Sequence, residues 1–148
     1  MNPYRRKVIS IACEEFPFLH ESVRSSRDSY HAIKELFDNE QISILEELHA
    51  IYLDKSSKVI GHAVIGKGSE AGVVVSIKVI LKHAIDCLAS GIIIAHNHPS
   101  GSTEPSNADK ELTVKLRKAC ETMDIVLMDH LIITPQKYFS FADKGFMY

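Results

Sequence analysis

Ile92-Ile93-Ile94-Ala95-His96-Asn97-His98 runs straight into Pro99-Ser100-Gly101-Ser102-Thr103-Glu104-Pro105-Ser106-Asn107-Ala108-Asp109. The opening apolar run is short and β-branched, the pattern of a central strand buried on both faces. Side chains alternate along an extended chain, so His96 and His98 point one way and Asn97 the other. Pro99, Gly101 and Pro105 punctuate a tight loop that folds the chain back. Ser106 then opens a helix, and Asp109 arrives in its first turn. Two imidazoles and one carboxylate make a common ligand set for one Zn²⁺ ion. Three protein ligands leave a fourth tetrahedral position for water, the mark of a catalytic rather than a structural site. Histidine nitrogens favour Zn²⁺ over Mg²⁺ or Ca²⁺, while Fe²⁺, Co²⁺, Ni²⁺ and Mn²⁺ remain compatible.

Each part also has an ordinary explanation. A His-x-His at a strand end is commonly a hydrogen-bonded pair. Ser106-x-x-Asp109 is close to a helix capping box, and an acid in a first helical turn suits the helix dipole whether or not it binds metal. The window is distinguished by having all these parts together, directly after a buried strand.

Outward from that window, the elements alternate. Asp28 is placed to cap a helix over 29–37, with Tyr30, Ile33, Leu36 and Phe37 on one stripe. Residues 44–53 read as a strand, 54–57 as a turn and 58–65 as the returning strand, which Gly66 and Gly68 break. A further short strand is expected through Val73-Val74-Val75. Ser76 opens a helix whose apolar positions include Val79, Ile80, Ala84 and Cys87, with Gly91 as its C′ glycine. After the helix from Ser106, residues 125–128 and 131–134 read as strands and Tyr138-Phe139-Ser140-Phe141 as the last one. The fold class is α/β, a mixed sheet flanked by helices. Residues 1–39 are expected as an N-terminal helical extension and 40–148 as the main domain.

Bulk properties fit one such domain. The chain has 148 residues, 45% hydrophobic and 24% charged, with a formal charge of −2. That charge supplies no positive field for nucleic acid. No apolar run is long enough to span a bilayer, so no membrane partner is expected. The basic start, Met1 to Lys7, leads into too short an apolar stretch (8–13) for a secretory signal. Cys13, Cys87 and Cys120 are isolated, which suits thiols in a reducing, cytoplasmic setting.

The spacing His-Asn-His-Pro-Ser-Gly-x-x-x-Pro-Ser-x-x-Asp, from His96 to Asp109, resembles the RadC branch of the JAMM metalloproteases. Leu48 to Asp54, Met128-Asp129-His130-Leu131-Ile132-Ile133 and Tyr138 to Phe141 are also RadC-like, so the likeness covers about 40–148. It implies a JAB/MPN, cytidine-deaminase-like three-layer fold. It maps His96, His98 and Asp109 onto metal ligands and Ser106 onto a serine that stabilises a tetrahedral intermediate. The family takes its general base from an early strand, here Glu46 or Glu47. They point to opposite faces, so only one can serve. RadC-like chains place the acid two residues before an apolar strand position, which selects Glu46, two before Leu48.

The resemblance implies a zinc-dependent metallopeptidase or isopeptidase acting on a peptide or protein. The competing reading is a non-enzymatic accessory protein of DNA repair or mobile elements, its metal structural or vestigial. Nucleic acid enters through family association alone. The helix-hairpin-helix region of full-length RadC proteins has no counterpart here, and 73–78 departs from the family's usual stretch. The string His-Asn-His does not make an HNH nuclease, whose residues are dispersed. Asp129 and His130 are either a pair that orients a metal ligand from behind or an ordinary hydrogen-bonding pair at a strand end; the ordinary reading is preferred, and neither is counted as a ligand. His20, His31, His49, His62 and His83 have no partner at ligand spacing. Oligomeric state is left open.

Overall fold

The computed structural model describes residues 22–68 and 73–147. Cys13, His20 and the basic N-terminal stretch lie outside them. Three helices and five strands are described: α1 Ser26–Lys34, β1 Glu47–Leu53, β2 Val59–Lys67, α2 Ile77–Asp86, β3 Gly91–Asn97, α3 Asn107–Thr122, β4 Val126–Ile133 and β5 Tyr138–Ser140. The sheet order is β2-β1-β3-β4-β5. Only β3 and β4 run parallel; the long crossover this requires is supplied by α3. The mixed α/β class read from the sequence is the one observed.

Alternation along the strands divides the core in two. On one face Ile51, Leu53, Ile93, Ala95, Leu131 and Ile133 pack with Tyr30 and Ile33 of α1. On the other, Leu48, Ala50, Tyr52, Ile92 and Ile94 pack with Ile80 and Ala84 of α2 and Leu116 and Cys120 of α3. The result is three layers, helix, sheet, helices. Every residue of β1 and of β3 is buried, which is why 92–95 shows no polar alternation. Val23, Phe37 and Ile42 join the same core cluster as Tyr30 and Ile33 of α1.

Several local expectations are corrected. The first helix is capped by Ser25, whose side chain accepts from Asp28 N–H, so Asp28 lies inside the first turn. It starts and ends three residues earlier than the sequence suggests. β1 begins at Glu47, because 41–45 form turns. β2 runs through Gly66 to Lys67. Residues 73–75 are irregular rather than a strand. The end of α2 is turned by Leu88 at φ 53, a left-handed position usually left to glycine; Gly91 instead starts β3. The two strands expected over 125–134 are one.

That last difference has a physical cause. Ile92 pairs with Leu127, but Ile93 pairs with Asp129, so Met128 is an extra residue in β4. The shift reverses the phase: Leu127 faces α2 and α3, whereas Leu131 faces α1. A period-2 pattern broken in this way reads as two segments.

Candidate metal centre

β3 ends at Asn97, and the chain continues as an extension of the strand. His98 N–H still reaches Ile133 O, at 3.4 Å. His96 and His98 therefore stay in phase. A tight turn follows, closed by Gly101 N–H to His98 O at 2.9 Å, with Gly101 at φ 79. A β-carbon there would be strained. The loop then delivers Ser106 as the N-cap of α3.

The capping box forms in full. Ser106 Oγ accepts from Asp109 N–H at 3.1 Å, and Asp109 Oδ2 accepts from Ser106 N–H at 2.7 Å. The cap aims the Asp109 carboxylate back across the loop. Its Oδ1 lies 3.1 Å from His96 Nε2 and its Oδ2 3.5 Å from His98 Nε2. The two Nε2 atoms are 2.9 Å apart. The capping contacts and the placement beside both imidazoles thus fall on one and the same carboxylate.

Spacing and chemistry fit a tetrahedral transition metal. Ligands at about 2.0–2.1 Å from Zn²⁺ stand about 3.3 Å from one another in a tetrahedron, within the observed 2.9–3.5 Å range. His96, His98 and Asp109 are the group of three able to share an ion among the described residues. The His98 tautomer follows from its far side: Nδ1 lies 3.0 Å from Ser102 O, and a carbonyl only accepts. The Nδ1–H is thereby used, so the neutral ring presents its Nε2 lone pair to the site.

Electrostatics agree with that crowding. Burial disfavours the Asp109 charge, but contacts from His96 and His98 outweigh it and hold the carboxyl well below its usual range. The Asp109 carboxylate raises the His98 ring's pKa against burial.

The three residues lie in a cleft of about 820 Å³, lined also by Glu46, Ser106 and the irregular segment 73–76. Glu46 and Glu47 are separated as alternation requires. Glu46 lines the cleft on the side of His96. Glu47 is buried on the other face, 2.9 Å from His49 Nε2 and 2.9 Å from Lys67 Nζ. Burial opposes its ionisation, but His49 and Lys67 prevail and lower its pKa.

A domain model described as "RadC-like JAB domain" matches residues 23–146. The chain belongs to the RadC family. It is 45% identical over 100 residues to a UPF0758 protein of Flavobacterium johnsoniae, covering 68% of this chain and 44% of that protein. It is 40% identical over 124 residues to a UPF0758 protein of Aquifex aeolicus, covering 84% of this chain and 52% of that one. The chain thus spans about half the length of these UPF0758 relatives. The JAB superfamily includes metallohydrolases, and the mixed sheet with its helices is consistent with a JAB/MPN fold. No helix among the described residues of this RadC-family chain is long and apolar enough to cross a membrane.

Of three side chains beside the centre, Thr113 escapes the sequence reading, while Asn97 and His130 are placed there without their partners. Asn97 is fully buried and bonded to the segment that carries Glu46. His130 and Thr113 are both buried, and His130 Nε2 lies 2.9 Å from His96 Nδ1. Its pKa is driven well down by burial. Asp129 is a different case. It accepts from Ser140 Oγ, Ala142 N–H and His130 N–H, tying β4 to the turn after β5. The ordinary reading suits Asp129, whereas His130 touches a candidate ligand. The one signal for Thr113 is its place one helical turn after Asp109.

Proposed function

We propose that this chain is a zinc-dependent hydrolase of JAMM type that cleaves peptide or isopeptide bonds. The observation that carries this reading is the convergence of His96 Nε2, His98 Nε2 and the Asp109 carboxylate within 3.5 Å in an open cleft. The proposed substrate is a peptide or protein segment lying in that cleft. The compartment proposed is the cytoplasm.

His96, His98 and Asp109 would hold the ion. Zn²⁺ bound by such a set supplies Lewis acidity and lowers the pKa of water towards neutrality. The Glu46 carboxylate, on the cleft wall, is the proposed general base; it takes a proton and later returns it to the leaving amine. Ser106 Oγ already accepts from Asp109 N–H. Its single hydrogen is left to donate to the oxyanion that develops on the scissile carbonyl. Glu47 faces away and takes no part.

Elemental analysis and a proteome-derived peptide library test this reading. The wild type should carry one zinc and generate new peptide N-termini. His96→Ala with His98→Ala should lose the zinc. Glu46→Gln should keep the zinc and lose cleavage. Full zinc content in the double variant would refute the site, and full cleavage by Glu46→Gln would refute the base. A zinc-loaded wild type without cleavage would favour the non-enzymatic accessory reading.

A further inference from the structure

His130 has no exposed surface, yet both its ring nitrogens are engaged. Nδ1 lies 2.7 Å from Thr113 Oγ1, and Nε2 lies 2.9 Å from His96 Nδ1. Thr113 Oγ1 donates to Asp109 O at 2.7 Å, the i−4 contact open to a threonine inside a helix. From the His130 side these contacts favour one arrangement of hydrogens, against the competing pull of Asp109 Oδ1, an acceptor 3.1 Å from His96 Nε2. A carbonyl can only accept, so the single Thr113 hydroxyl hydrogen goes to Asp109 O. The contact with His130 then takes its hydrogen from His130 Nδ1. A buried neutral imidazole has only that one N–H, so His130 Nε2 is an acceptor. On that arrangement His96 Nδ1 carries the hydrogen between the two rings and Nε2 turns a lone pair to the site, the form a metal ion there needs; the rival arrangement puts the hydrogen on Nε2, donated to Asp109 Oδ1.

We infer that Thr113 and His130 are positioning residues that fix the tautomer and ring plane of His96 for metal binding. The inference rests on the metal-site reading above and extends it. Thr113 lies one turn after Asp109, so α3 sets both the carboxylate and, through two hydrogen bonds, the opposing imidazole. The strand bulge at Met128 makes this contact available. Without the extra residue, His130 would face α1 rather than α3. His98 reaches the same tautomer directly, through Ser102 O. A ligating histidine whose other nitrogen donates to a fixed acceptor is held in orientation and made more basic.

Long-range ¹H–¹⁵N spectra of the histidine rings read the tautomer in metal-free and zinc-loaded protein. Zinc affinity is read by competition with a chromophoric chelator. Wild type and Thr113→Ser should both show the hydrogen on His96 Nδ1 and bind zinc within about threefold of each other. Thr113→Val keeps the shape but removes the acceptor, and should weaken zinc binding about tenfold or more. The inference is overturned by a metal-free wild type with the hydrogen on His96 Nε2, or by Thr113→Val binding zinc like wild type. A serine variant as weak as valine would assign the effect to packing and overturn it too. A wild type that binds zinc but cleaves nothing defeats the hydrolase reading, while the Thr113 series still decides the relay. A wild type that binds no zinc and carries hydrogen on His96 Nε2 defeats both.

Discussion

The Asn97 carboxamide spends all its main bonding capacity on one segment. Nδ2 donates to Ile42 O and to Leu45 O, each at 2.7 Å, and Oδ1 accepts from Glu47 N–H at 2.7 Å. Residue by residue, this clamps 42–47 against the strand that ends in His96 and His98. Glu46 sits in the clamped segment, so its place beside the centre is fixed from the opposite face of the sheet. Asn97→Ala leaves two carbonyls and one N–H without these partners and should cost about 2–4 kcal/mol in thermal unfolding. Zinc content should persist, because neither histidine is changed. Turnover should fall far more than occupancy, since a displacement near 1 Å at a reacting group costs about a hundredfold. An Asn97→Ala protein of wild-type stability and turnover would remove the clamp from the account. Alternation in the sequence places Asn97 on the face away from the histidines. What it grips is not legible, because those partners lie about fifty residues away in the chain, two of them in turns that lack a periodic signal and the third at the first residue of β1.

Elements that repeat a period were legible, and elements that break one were not. The run Ile92-Ile93-Ile94-Ala95 marks a fully buried central strand, and Ser106 marks a helix start, as found. The early part of β1 was overextended because Ile44 and Leu45 are apolar, although Ile44 is 63% exposed in a turn. The bulge in β4 hides which face His130 takes, because one extra residue moves it to the other side of the sheet, and the preference for an ordinary pair over an orienting one fails for His130 for that reason. At the α3 terminus, cap and chemistry coincide on Ser106, and two substitutions separate them. Ser106→Ala should cost about 1 kcal/mol of stability, and Ser106→Gly only a few tenths, since glycine is a tolerable N-cap. Both lose the hydroxyl, so both should lose about a hundredfold or more in turnover if it serves the oxyanion. Peptide-cleavage rates and denaturant midpoints check this. Turnover that tracks stability across the pair would reduce Ser106 to a cap.

Across the whole molecule, neutral histidines are built into both faces of one sheet. His130 lies buried under α3. On the α1 side, His49 Nε2 meets Glu47 at 2.9 Å and His49 Nδ1 meets His62 Nε2 at 3.0 Å. Burial pushes His62 down to about 4, with the His49 ring adding to the effect. Burial also lowers His49, against the opposing pull of Glu47. Between the unfolded value near 6.5 and about 4, the unfolded chain binds protons that the folded one refuses. Stability from these groups is thus present above about pH 6.5 and is lost as pH falls towards 4. His98 works in the opposite sense in the zinc-free protein: its raised pKa adds stability that is fully present below the unfolded value near 6.5 and is lost as pH rises through the raised one. Asp109 and Glu47, whose pKa values are lowered, lose their contribution only at still lower pH. The zinc-free protein should therefore melt at a lower temperature at pH 5 than at pH 7.5. His62→Gln should recover part of that loss, about 1–2 kcal/mol once solvent screening at this half-buried site is allowed for. Melting curves of the two proteins at both pH values measure it. The same pH dependence in both would show that the cost of acid falls on His49 and His130, and that the His49–His62 contact tolerates a proton.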